Sequence, residues 1–277
     1  TKSFLSAIAG LAFDRGLIPN IHAPVSDSVA LEAFSSERHS RITWHHLLTQ
    51  TSEWSGTLWG KPYWADTQGG QPPNQTLGEP GTVWAYNDVR INLLALALAH
   101  VWRQPLSKVL KDEVMDPIGA SSSWQWPGYQ NCYVEVEGLR FPPAGGGAHW
   151  GDGLWASSWD LARFGVLMLA KGRWGATQIL SERWIEMATT PSRVNPAYGY
   201  LWWINARRRV FPSAPSSGYC ARGNGGRHLI WMDPARDLVI VSRWGESAER
   251  LLALISRAIP KVRGTQTPSV FPGRTIV

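Results

Sequence analysis

"ARGNGGRHLIWMDPARDLVIV", Ala221–Val241, is the stretch on which the fold turns. "GGRHLIWM" and "DLVIVSRW" read as strands, and the "DPAR" between them is a tight connection, so the pair predicts an antiparallel hairpin. Upstream, "YGYLWWINAR" predicts a further strand, and Arg207, Arg208 and Arg209 fall where a strand pair turns over. Downstream, "SAERLLALISRAI" places Ala248, Leu251, Leu252, Ile255 and Ala258 at the spacing of one helix face. The character differs before Pro191, where helical patterns dominate. Helices in the middle, with antiparallel strands and a helix at the end, make the class α+β.

Several of those helices announce their ends. In "SSWDLARFGVLMLAKGRW", Ser157 stands three residues before Asp160 as a capping box, and Leu161, Phe164, Gly165 and Met168 share a face. Ser157 and Ser158 are therefore capping residues before they are nucleophiles. "INLLALALAHVW", Ile91–Trp102, is a buried helix, too short and too polar at Asn92 and His100 for the roughly 20 residues of a bilayer span. "LSKVLKDEVM" predicts another helix, and "RITWHHLLTQTSEW" a short one ending in a polar turn, with His45 and His46 packing or capping. The opening "TKSFLSAIAGLAFDRGLIPN" is an amphipathic helix on Phe4, Leu5, Ile8, Leu11 and Ala12, ended by Gly16 as a left-handed cap with Pro19 beyond. No N-cap precedes it, so the chain looks cut into rather than begun.

With 277 residues, 44% hydrophobic and 17% charged, the chain can bury a full core. Its net charge of +6 is scattered and accompanied by no nucleic-acid-binding module, which argues against a nucleic-acid partner. Two cysteines, Cys132 and Cys220, have neither metal spacing nor disulfide-scaffold density and read as separate thiols. The His, Asp and Glu residues show no metal-ligand spacing, and no phosphate loop is present. Of the 17 tryptophans most pack a core, and a minority near loops shape a cleft. No signal peptide is visible, but in a chain that opens inside a helix this leaves the compartment unknown.

"TKSFLSAIAGLAFDRGLI", "TWHHLLTQTSEW", "PGTVWAYNDVRIN", "DPIGAS", "SSWDLARFGVLML" and "ARGNGGRHLIWMDPARDLVIV" together resemble the serine hydrolases of the β-lactamase-like fold. The branch in question includes class C β-lactamases, D-alanyl-D-alanine peptidases, esterases and 6-aminohexanoate-dimer hydrolase. The resemblance implies a β-lactamase/transpeptidase-like fold: an antiparallel sheet flanked by helices, plus a mostly helical domain. On that reading residues 1–30 carry the nucleophile helix, 31–190 the helical domain, 191–260 the strands and closing helix, and 261–277 a tail. The first strands of the sheet are expected to be missing.

The same resemblance distributes roles. Thr1-Lys2-Ser3-Phe4 matches the second half of Ser-x-x-Lys, in which residues i and i+3 share a helix face, so the amine lies one turn from the hydroxyl it deprotonates. Lys2 is the candidate base, its pKa expected to be lowered by burial. The nucleophilic serine is then two residues ahead of Thr1. Ser3 and Ser6 have no lysine three residues on, and Ser52 and Ser55 are turn residues. The family's Tyr-x-Asn reads Tyr86-Asn87-Asp88, making Tyr86 a proton relay to the leaving group. Asp88 departs from asparagine: a carboxylate accepts but cannot donate to a substrate carbonyl, and it can instead pair with the lysine. Lys-Thr-Gly falls on Ala221-Arg222-Gly223, leaving Gly223 to admit substrate and the Asn224 amide to hold an oxyanion. His149 and Trp150, in "GGGAHWGDG", are expected at the cleft rim.

The implied activity is ester or amide hydrolysis through an acyl-enzyme, without a cofactor, on a small-molecule substrate and with no membrane span. The departures at Asp88 and Ala221 favour a small ester or amide over a β-lactam or a D-Ala-D-Ala peptide. The competing expectations are an inactive ligand-binding protein of the same fold and, more weakly, carbohydrate or cell-wall binding through tryptophans.

Overall fold

A computed structural model describes residues 1–65, 76–128, 132–142 and 153–262. Helix α1 (Lys2–Asp14) ends as its sequence predicts. Gly16 takes φ +72°, its N–H reaching Phe13 O at 3.0 Å and that of Leu17 reaching Ala12 O at 2.9 Å. Its environment differs from the amphipathic expectation, because every residue from Ser3 to Ala12 is buried. Small residues make that possible: a Cβ on Gly10 would lie 2.4 Å from the indole of Trp184, so α6 (Glu182–Ala188) packs directly on the α1 backbone. The other side of α1 meets α3 (Asp88–Trp102), which is buried along most of its length. A helix apolar all round belongs in the middle of a molecule.

Of the remaining helices, α2 (Trp44–Leu48) starts at a capping box of Thr43 with His46, and α4 (Leu106–Leu110) runs on into a π-turn over Lys111–Met115. Helix α5 (Ser158–Leu169) has the Ser157–Asp160 capping box read from its sequence, and α7 (Ala248–Ala258) closes the described fold. Neither Cys132 nor Cys220 is in a disulfide among the described residues, and both are buried.

Four antiparallel strands, β1 (Trp203–Ile204), β2 (Tyr219–Gly223), β3 (His228–Asp233) and β4 (Leu238–Ser242), form one sheet in the order β4-β3-β2-β1. The predicted hairpin is β3–β4, with Trp231 opposite Ile240 and a 3-10 turn over Pro234–Arg236. Side chains alternate across the sheet. Ile230 and Met232 enter the main core with α1 and α5, while Leu229, Trp231 and Ile240 join Phe211 and Leu252 of α7. Gly165 lets α5 settle on the sheet, since a Cβ there would lie 2.6 Å from Val239. The strand read over "YGYLWWINAR" shrinks to two residues. Leu201 has φ +63° and donates to Leu48 O at 3.1 Å, so the segment before Trp203 folds into a turn against α2. Arg207–Arg209 lie in the β1–β2 connection, as expected.

Candidate active site

Two helix N-termini bring the site together. Lys2 is the first residue of α1, and Asp88 the first of α3. Asn87 caps α3 by accepting from Arg90 N–H at 2.9 Å, which leaves Asp88 in the first turn, where the helix dipole favours a carboxylate. Lys2 Nζ donates to Asp88 Oδ1 at 2.5 Å, with the two side chains only 11% and 12% exposed. The ammonium also lies 4.6 Å from the centre of the Tyr86 ring. Burial pulls the Lys2 pKa down, but Tyr86 and then Asp88 outweigh it, holding the amine above its ordinary value. The lowering expected from burial alone is thus reversed. Tyr86 and Asp88 together favour the ammonium form of Lys2.

Aromatic side chains wall the half-buried Tyr86. Its ring stacks on Trp203 at 5.6 Å and 25°, and meets Tyr198 edge-on at 6.2 Å and 85°, with Trp84 at 6.3 Å. Trp203 and Tyr198 come from the aromatic stretch "YGYLWW", in which no spacing rule marks the ring that reaches the site. The turn that shortens β1 is what brings them there.

At the sheet edge, β1 pairs with Tyr219 and Cys220, so among the described residues Ala221–Gly223 have no strand partner on that side. The chain then turns through Asn224, Gly225 and Gly226 at φ +47°, +65° and +92°. Asn224 is exposed, and Gly223 lies opposite His228. Arg222 points to the α7 side, its guanidinium 5.2 Å from the Trp203 ring and 5.1 Å from that of Phe211. Gly226 makes room for it, a Cβ there falling 2.9 Å from Arg222 Nη2. Trp203 thereby contacts both Arg222 and Tyr86. Thr1 Oγ1 accepts from Leu154 N–H at 3.0 Å, tying the start of α1 to the segment ahead of α5. His149 and Trp150 lie outside the described residues.

His45 and His46 serve structure. His46 Nδ1 accepts from Thr43 N–H at 3.2 Å in the α2 cap, and His45 Nδ1 meets Tyr200 Oη at 2.9 Å. Burial, with His22 and His46 adding to it, lowers the His45 pKa to about 4. Among the described residues, no group of three or more His, Cys, Asp or Glu could hold a metal ion, and no helix is long and apolar enough to cross a membrane.

The sequence profile of the family described as Beta-lactamase matches residues 1–242. Two curated Escherichia coli proteins, from O157:H7 and K12, each named "Putative D-alanyl-D-alanine carboxypeptidase", are 25% and 24% identical to it over 198 residues. That alignment covers 59% of this chain and 45% of each of them, so the chain spans less than half the length of these relatives. Among solved structures, a penicillin-binding protein from Bacillus halodurans superposes with a TM-score of 0.63 at 18% identity, over 93% of this chain and 83% of its own. A hydrolase with promiscuous acyltransferase activity gives 0.62 at 17% identity, over 91% and 81%. At these identities the structures establish the fold, which is β-lactamase/transpeptidase-like and α+β.

Proposed function

The chain belongs to the Beta-lactamase family, and from that premise we propose that it is a serine hydrolase cleaving a small ester or amide through an acyl-enzyme. The observation that carries the reading is the convergence of Lys2, Asp88 and Tyr86 at the first turn of α1. The nucleophile is a serine two residues ahead of Thr1, where helical spacing sets it on the face of Lys2. Its oxygen attacks the substrate carbonyl carbon while its proton passes through the Tyr86 oxygen to the leaving alcohol or amine. The Asn224 N–H and the serine's own N–H hold the oxyanion. Water then attacks the acyl carbon, releases the acid and returns the proton to the serine. Lys2 acts as the fixed cation beside Tyr86, a role supported by its ion pair with Asp88 and its raised pKa. Asp88 offers a substrate amide no donor, which favours esters and small amides over β-lactams.

The test is a chain extended upstream through the proposed serine, assayed on short-chain p-nitrophenyl esters with mass spectrometry for the acyl adduct. The extended protein forms the adduct and turns over, whereas Lys2→Ala and Tyr86→Phe each lose about a hundred-fold or more. No adduct and no hydrolysis would leave a ligand-binding protein of the same fold. Variants as fast as the parent would remove Lys2 and Tyr86 from the mechanism.

A further inference from the structure

The polar turn after α2 is buried throughout: no residue from Thr49 to Trp54 is more than 3% exposed. A loop of threonine, glutamine, serine and glutamate in a core is costly unless each polar group is matched. Here much of the matching is made to the segment that carries Tyr86. Gln50 is fully buried and takes φ +57°, a left-handed backbone that a residue with a side chain rarely adopts. Its main-chain oxygen accepts from Ala85 N–H at 3.0 Å, and its side-chain Oε1 accepts from Asn87 N–H at 2.8 Å. The residues on either side of Tyr86 are therefore both pinned to one glutamine. Because a backbone N–H only donates, Oε1 must face Asn87, and Nε2 is left to donate to Tyr198 Oη at 2.8 Å. Tyr198, itself 1% exposed, is the ring that meets Tyr86 edge-on.

We propose that Gln50 is the positioning residue of Tyr86, fixing its backbone through Ala85 and Asn87 and its ring through Tyr198. The proposal rests on the reading of Tyr86 as the proton-transfer residue, although Gln50 touches neither substrate nor reacting atoms. A misplacement of about 1 Å at a reacting group costs on the order of a hundred-fold in rate, so the strained turn has a use commensurate with its burial. Neighbouring polar groups serve other ends: the Thr51 hydroxyl bonds that of Thr49 at 2.9 Å, within the turn itself.

In the upstream-extended protein, Gln50→Met keeps side-chain length and loses both amide bonds. The expected result is a fall in kcat of about ten- to a hundred-fold with KM within about two-fold, because substrate still binds while the relay is displaced. Thr51→Val, in the same buried turn, is the control for stability and keeps its kcat. Tyr198→Phe removes only the Nε2 partner and carries the test if Gln50→Met does not fold, with a smaller fall in kcat at constant KM. Equal kcat in parent and folded Gln50→Met, equal losses in Gln50→Met and Thr51→Val, or an unchanged kcat in Tyr198→Phe would each overturn the proposal. A parent without activity defeats the hydrolase reading instead. Positioning is then read from the labelled Tyr86 ring resonances, one sharp set in the parent and broadened or doubled sets in Gln50→Met; identical spectra would end it.

Discussion

Asp88→Asn keeps the shape of the side chain at the start of α3 and removes its charge. At 2.5 Å, and with an effective dielectric constant of about 20, the Lys2–Asp88 attraction is about 7 kcal/mol before desolvation. Taking two nearly buried ions out of water returns several kcal/mol of that, and removing one partner of such a pair typically costs about 3–5 kcal/mol. The asparagine oxygen still accepts from Lys2, which recovers about 1 kcal/mol. The variant is therefore about 2–4 kcal/mol less stable, a fall in Tm of roughly 4–8 °C for a chain of this size. The pH dependence has a definite sign. Lys2 has its pKa raised by folding, so the pair's contribution is whole below the ordinary lysine value of 10.5 and fades only as the pH rises beyond it. Thermal unfolding of parent and variant at pH 7 and pH 9 should show the same gap. In the variant Lys2 keeps Tyr86 but loses the Asp88 charge, so its pKa falls from that of the parent, and the alkaline limb of kcat/KM in the extended protein moves to lower pH. An unchanged Tm at pH 7, or a gap that closes between pH 6 and 8, would refute the reasoning.

Two further predictions concern the frame around the site. Glu53→Gln strips the charge partner from Arg90, a pair at 2.7 Å with side chains 3% and 1% exposed, and should cost about 3–5 kcal/mol by urea unfolding; a loss under about 1 kcal/mol would contradict it. His45, with its pKa lowered to about 4, adds stability that is present above the ordinary histidine value of 6.5 and lost as the pH falls from there toward 4. Unfolding midpoints of the parent should therefore drop across that window, and His45→Gln should flatten the slope; parallel curves would show that His45 is not the cause.

Much of the frame was legible because its signals are local. The β3–β4 hairpin is set by two short apolar runs and the "DPAR" between them, the start of α5 by Ser157 and Asp160, and the end of α1 by Gly16, each within a few residues of the structure it specifies. Other features carry no local mark. The stretch "YGYLWWINAR" has strand composition, yet Leu201 is turned by a bond to Leu48, more than a hundred residues away in sequence. Likewise "TQTSE" has the look of a solvated turn and is buried, because its partners lie on the Tyr86 segment and on Arg90.

The same division runs through the site. From "TKSF" and "YND" the sequence by itself determined which residue types stand at helical spacing and at the start of α3, and through the resemblance it selected Lys2, Tyr86 and Asp88 as the residues to watch. It did not determine their chemical state. A lysine's pKa is a balance between burial and neighbouring charge, and both depend on what is folded against it. Only the tertiary structure, by setting Asp88 against Lys2 and Trp203 against Tyr86, decided that the amine's pKa is raised rather than lowered and that the phenol is walled by rings more than a hundred residues further along the chain.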